Sequence, residues 1–144
     1  MTLGRDRRKR SVGDFVTDER RMIFVVDDDE WVRDSLCALL ESSGFSVRTF
    51  ASAREFLEEA PRLDDACMLL DVHMPSINGI ELLTMLRERH HTLPVIMITG
   101  RQDGMLRERV RAAGAVALFD KPLAAPRLLE TIRAALTLSK PSGS

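Results

Sequence analysis

At four points in this 144-residue chain, a group that handles charge sits at the end of an apolar run or directly after it. MIFVV (22–26) is followed by Asp27, Asp28, Asp29 and Glu30, and ACMLL (66–70) by Asp71 and the loop VHMPSING. VIMIT (95–99) ends on Thr99 with Gly100 after it, and AVALF (115–119) runs into Asp120, Lys121 and Pro122. A buried strand gains nothing from a terminal carboxylate, because burying the charged form is costly. Several carboxylates held close together repel one another and need a neutralising partner. A divalent cation supplies one, and Mg2+ suits an all-oxygen set of one or two carboxylates with room for waters and a phosphate oxygen. A carboxylate beside such a metal can attack phosphorus and form an acyl phosphate. Phosphoryl transfer asks mainly for positioning and charge neutralisation, which a cation, a lysine and a hydroxyl provide.

Taken one at a time, these groups have plainer uses. Acids at 27–30 suit the N-terminus of a following helix through its dipole. Thr99 alone is a strand-end residue, and Lys121 alone is a surface charge. Whether they converge depends on the elements that carry them.

Residues 30–43 place Val32, Leu36 and Leu39/Leu40 at helical spacing and stop at Gly44. FSVRTF (45–50) alternates as a strand, and Ser52 with Glu55 forms a capping-box signature for a helix over 53–60, halted by Pro61. The segment 80–90 carries Ile80, Leu83 and Leu86 on one face, so His90 and His91 end that helix, where a cation suits the dipole. Residues 103–113 read as a helix closed by Gly114, and Pro126 opens a last helix running to about 138. Five strand–helix units in series, with nearly continuous apolar strands, predict an α/β fold. Its five-stranded parallel sheet is doubly wound, with helices on both faces. Ligands of such sheets gather at the C-terminal strand ends, at the switch point in strand order. The acids, Thr99 and Lys121 all fall on that edge.

Composition bounds the rest. With 44% hydrophobic and 30% charged residues, the chain reads as one soluble domain. Its apolar stretches reach five or six residues, far short of the roughly 20 needed to span a bilayer. The start, MTLGRDRRKRSVGD, is not of signal-peptide type, and the expected location is the cytoplasm. The net charge of −1 hides an asymmetry: residues 1–21 hold seven Lys/Arg against four Asp/Glu, whereas 22–139 hold thirteen against eighteen. The expected organisation is a disordered basic leader (1–21), a folded domain (22–138) and a linker-like tail (139–144). One basic run without interleaved aromatics favours a solvated leader over nucleic-acid or membrane contact. Cys37 and Cys67 lack metal or redox spacing and read as small buried apolar residues.

The set VVDDDEWVRDSL, LLDVHMPSING, MITG and AGAVALFDKP, in this order, resembles the receiver domain of two-component response regulators. Its phrasing is similar to that of the FixJ-like members. The likeness spans residues 22–138 and implies the flavodoxin-like (βα)5 receiver fold with strand order 2-1-3-4-5. It implies Asp71 as phosphoacceptor and Mg2+ as cofactor. Asp28 would ligate the metal directly and Asp27 largely through water, with Asp71 and the backbone carbonyl of His73 completing the protein's set. Thr99 would hydrogen-bond a phosphoryl oxygen, Lys121 would pair with the phosphoryl group, and Lys121-Pro122 would be a cis peptide. Gly79 would form a tight turn before the third helix. His73 and Arg101, each two positions past a site residue, would shield the acyl phosphate or orient a water.

The implied partners are a sensor histidine kinase and either a downstream protein or an output domain beyond residue 138. A phosphorylation-dependent homodimer is also implied, with no membrane contact and no direct nucleic-acid contact. The family member is a signalling phosphoacceptor that catalyses its own phosphorylation and dephosphorylation rather than a turnover enzyme. The sequence departs from the pattern at Leu118, where the family commonly has an aromatic switch residue. Phe119, one position later, is expected to face the other side of the sheet. Two other readings stand beside this one. An aspartyl phosphatase would need a second acid where His73 stands. A phosphorylation-independent interaction domain with a vestigial acidic site is kept open by Leu118.

Overall fold

The apolar runs become strands because each is too short for a helix of three turns and is rich in residues that pack on a pleated, buried surface. In a computed structural model, which describes residues 21–139, they are β1 (Met22–Val26), β2 (Ser46–Phe50), β3 (Ala66–Asp71), β4 (Val95–Thr99) and β5 (Ala117–Asp120). Between and after them run α1 (Glu30–Ser42), α2 (Ala53–Glu59), α3 (Gly79–Glu88), α4 (Leu106–Ala113) and α5 (Ala125–Ser139). All strands pair in parallel, in the order β2-β1-β3-β4-β5, the α/β doubly wound arrangement expected. The basic run of the leader and the last five residues lie outside the described part. Arg21 lies inside it, donating to the Leu136 carbonyl at 3.2 Å and pairing with Asp65.

Strand alternation divides the core into two layers. Phe24, Val26, Met68, Leu70 and Met97 meet α2, α3 and α4 through Phe56, Leu82, Leu83, Leu86, Leu106 and Val110. Ile23, Val25, Cys67, Leu69, Ile96 and Ile98 meet α1 and α5 through Leu36, Leu40, Leu128, Ile132 and Leu136. Leu118 packs on the first layer and Phe119 on the second, opposite sides as the period of two requires. β1, β3 and β4 are buried almost throughout, but β5 is only half-buried, so near-continuous burial does not extend to this edge strand. Cys67 is buried as expected, whereas Cys37 is only half-buried. Among the described residues, no helix is long and apolar enough to cross a membrane.

The helix ends show why some boundaries moved. Gly44 and Gly114, at φ 97° and 104°, take the left-handed position that closes α1 and α4. α3 ends the same way without a glycine. His90 adopts φ 68°, its amide donates to the Arg87 carbonyl, and the His91 amide reaches back to Leu86. The two histidines therefore lie in the turn beyond the helix rather than at its end. α4 starts at Leu106 and not at 103, because the Asp103 carboxylate accepts the Met105 amide and makes a local turn instead. At α2, Ser52 Oγ accepts the Glu55 amide as predicted, but Glu55 reaches Ala51 rather than closing the box on Ser52. The complete capping box is at α3, where Asn78 and Glu81 exchange hydrogen bonds of 2.8 and 2.9 Å. Asn78→Ala is expected to lower stability by about 1 kcal/mol, read as a shifted urea midpoint at unchanged slope.

Candidate functional site

Parallel pairing brings the C-terminal ends of β1, β3, β4 and β5 to one edge, with the crossover point between β1 and β3. Val26 pairs with Leu70, so Asp27 and Asp71, each one residue further on, emerge side by side. Ligand oxygens of Asp27, Asp28 and Asp71 all lie within 4.8 Å of one another. Asp27 and Asp71 are buried, at 1% and 3% exposure, and Asp28 is exposed.

Local structure holds each acid. The Asp29 amide donates to Asp27 Oδ1 at 2.9 Å, while Asp29 itself caps α1 by accepting the Trp31 amide. Arg33 Nη1 donates to the Asp27 carbonyl at 2.7 Å. Asp71 is fixed from below by Gly79: a Cβ there would stand 2.2 Å from the Asp71 carbonyl oxygen, and the Gly79 amide donates to Val72 at 2.9 Å. The expected tight turn at Gly79 is thus a close approach of backbone to backbone that only hydrogen fits. No motif in the sequence marks Arg33. Its position one turn into the first helix was the available signal.

Lys121, whose bond to Pro122 is cis, sits between the buried acids. Its Nζ is 3.1 Å from Asp27 Oδ2 and 3.6 Å from Asp71 Oδ1. The lysine therefore leans toward Asp27. Burial pulls its ammonium down, but the contact with Asp27, and then Asp71, outweighs this and leaves its pKa raised. Asp71 is pushed the other way from an ordinary acid, up to about 7. Burial contributes most and the Asp27 charge next, against partial relief from Lys121 and the His73 backbone hydrogen bond.

The geometry fits a hard divalent cation. The cluster is all oxygen, and two of its three acids are buried. Asp27 Oδ2, although close to Lys121, has no well-directed hydrogen bond. One lysine cannot balance three carboxylates, and burial keeps water from Asp27 and Asp71.

Thr99 is fully buried, and its hydroxyl is engaged by main chain. Its hydroxyl donates to the Arg101 carbonyl at 2.7 Å and accepts the Arg101 amide at 3.0 Å. His73, in the loop after β3, has its ring Nε2 3.1 Å from the same Arg101 carbonyl. Asp120, paired with Thr99 across the ladder, accepts from Gln102. The structure thus gathers Asp27, Asp28, Asp71 and Lys121, and holds Thr99 and His73 together at the adjoining strand end.

Comparisons with known proteins show the family. A family model described as the response regulator receiver domain matches residues 23–133. The chain is 38% identical over 120 residues to the transcriptional regulatory protein FixJ of Bradyrhizobium diazoefficiens, covering 83% of this chain and 58% of that one. It is also 38% identical over 124 residues to the response regulator protein TodT of Pseudomonas putida, covering 86% and 55%. It spans under three-fifths of the length of either relative. A crystal structure of FixJ-N superposes with a TM-score of 0.75 at 35% identity, covering 81% of this chain and 94% of that one. The chemotaxis protein CheY4 of Vibrio cholerae gives 0.73 at 28% identity, covering 81% and 98%. By matched length, by identity and by fold, this chain belongs to the response regulator receiver domain family, among its FixJ-like members.

Proposed function

We propose that this receiver takes a phosphoryl group onto Asp71 from a phosphohistidine of a sensor kinase and so switches its contacts with other proteins. The observation that carries this is the buried Asp71 carboxyl, with Asp27 and Asp28 oxygens within 4.8 Å and Lys121 Nζ at 3.6 Å. In the transfer, a carboxylate oxygen of Asp71 forms a bond to phosphorus while the bond from phosphorus to the donor's imidazole nitrogen breaks, leaving the electron pair on that nitrogen. Mg2+, held by Asp27, Asp28, Asp71 and the His73 carbonyl, would supply charge neutralisation for the transferring oxygens. Lys121, 3.6 Å from Asp71 Oδ1, neutralises charge as well, by shifting from Asp27 to the phosphoryl group. Thr99 exchanges its bond to Arg101 for one to a phosphoryl oxygen, and this exchange is the switching event. Water later cleaves the acyl phosphate at the same site, so the domain removes its own signal. A cytoplasmic setting suits the kinase partner, and the output is a downstream protein or a further domain of the kind the longer relatives have room for.

The test is intact mass after incubation with acetyl phosphate, in Mg2+ or in EDTA. A gain of one phosphoryl mass in Mg2+ and none in EDTA is the expected result. No gain in either would overturn the proposal and favour a phosphorylation-independent interaction domain.

A further inference from the structure

The Arg101 main chain is held from both strand ends beside Asp71. Its carbonyl accepts the Thr99 hydroxyl at 2.7 Å and lies 3.1 Å from His73 Nε2, while its amide donates to Thr99 Oγ1. A carbonyl only accepts, so the His73 ring must donate through an Nε2 that carries its proton. His73 belongs to the loop after β3 and Arg101 to the loop after β4. The ring therefore ties together the two loops that adjoin the Asp71 carboxyl on the β4 side. The loop it ties is otherwise held by the Gln102 bond to Asp120 and by the local Asp103 turn, neither of which reaches the loop after β3. α4 begins without a side-chain cap, Gly104 has open space around it, and Arg101 to Met105 are exposed.

We propose that His73 acts as a positioning residue, a latch whose ring holds the Arg101 backbone and thereby keeps the 101–105 loop against the Asp71 site. This rests on the reading of Asp71 as phosphoacceptor and adds a specific regulation of its access. Two large side chains shielding the acyl phosphate would make His73 and Arg101 equivalent. A latch makes them unequal, because the contact uses the ring of His73 and only the main chain of Arg101. The Arg101 side chain is dispensable to it.

Two measurements on the full chain test this. The first, amide hydrogen exchange of residues 101–105, needs no phosphorylation. His73→Ala should exchange about threefold to tenfold faster there, the range one net hydrogen bond allows. His73→Gln, whose amide can donate to the same carbonyl, should restore at least half of the protection, and Arg101→Ala should stay within about twofold of wild type. The second is the rate of phosphoryl gain from acetyl phosphate and of its loss. Both should rise by a similar factor in His73→Ala and return toward wild type in His73→Gln. Unchanged exchange in His73→Ala, or equally fast exchange in the two alanine variants, would overturn the latch. If wild type gains no phosphoryl group, the acceptor reading fails, while the exchange result still decides whether the bridge holds the loop.

Discussion

Asp71→Asn is expected to abolish phosphoryl gain from acetyl phosphate, at least 100-fold below wild type by intact mass, and yet to be the more stable protein at pH 8 without metal. An amide keeps the shape of the side chain but offers no anionic oxygen to attack phosphorus. The stability gain follows from the electrostatics. The Asp71 carboxyl is raised from 3.8 to about 7, chiefly by burial and then by Asp27. A carboxyl raised on folding favours the folded state while it is protonated. That contribution is complete below about pH 4 and is lost progressively as the pH rises through about 7. At pH 8 the wild type therefore carries a buried charge against two neighbouring carboxylates, and the variant does not. At about 1.4 kcal/mol per pKa unit, the difference should be on the order of 2–4 kcal/mol in urea unfolding, shrinking toward pH 4. Mg2+ should narrow it as well, by stabilising the wild type more than the variant. Equal stability at pH 8 would mean that the acids are not in conflict, and the electrostatic account of the site would fail.

Gly79→Ala should be strongly destabilising for the addition of a single methyl. Two effects compete. Alanine is the better helix former by up to about 1 kcal/mol. Against this, the added carbon would stand 2.2 Å from the Asp71 carbonyl oxygen and 2.8 Å from Met97 Cε. The methionine can bend aside, but the carbonyl belongs to the last residue of a central strand and moves only with Asp71 itself. Overpacking against backbone should win, for a net loss of roughly 3 kcal/mol in urea unfolding. Because the displaced atom belongs to Asp71, the surviving folded protein should also gain phosphoryl groups more slowly. Wild-type stability in this variant would show that the turn has slack, and that Asp71 is not braced by Gly79.

The order of elements and the fold class were readable because they rest on local properties. Short apolar runs alternate with helical stretches, Gly44 and Gly114 supply left-handed stops, and parallel pairing with right-handed crossovers leaves few ways to assemble five such units. The acids could also be read, since any residue just past a strand of a parallel sheet must appear on the same edge. Other features needed the folded chain, because they depend on distances between segments far apart in sequence. No local pattern tells that Lys121 lies closer to Asp27 than to Asp71, that Gly79 supports Asp71 through a contact with no room for a methyl, or that β5 is only half-buried as an edge. The same is true of Thr99. Its residue type announced a hydroxyl at the strand end, but a hydroxyl rotates to whichever partner the neighbouring loops offer. Only the tertiary arrangement, with Arg101 folded back and His73 reaching across, decided that its partner here is the Arg101 main chain.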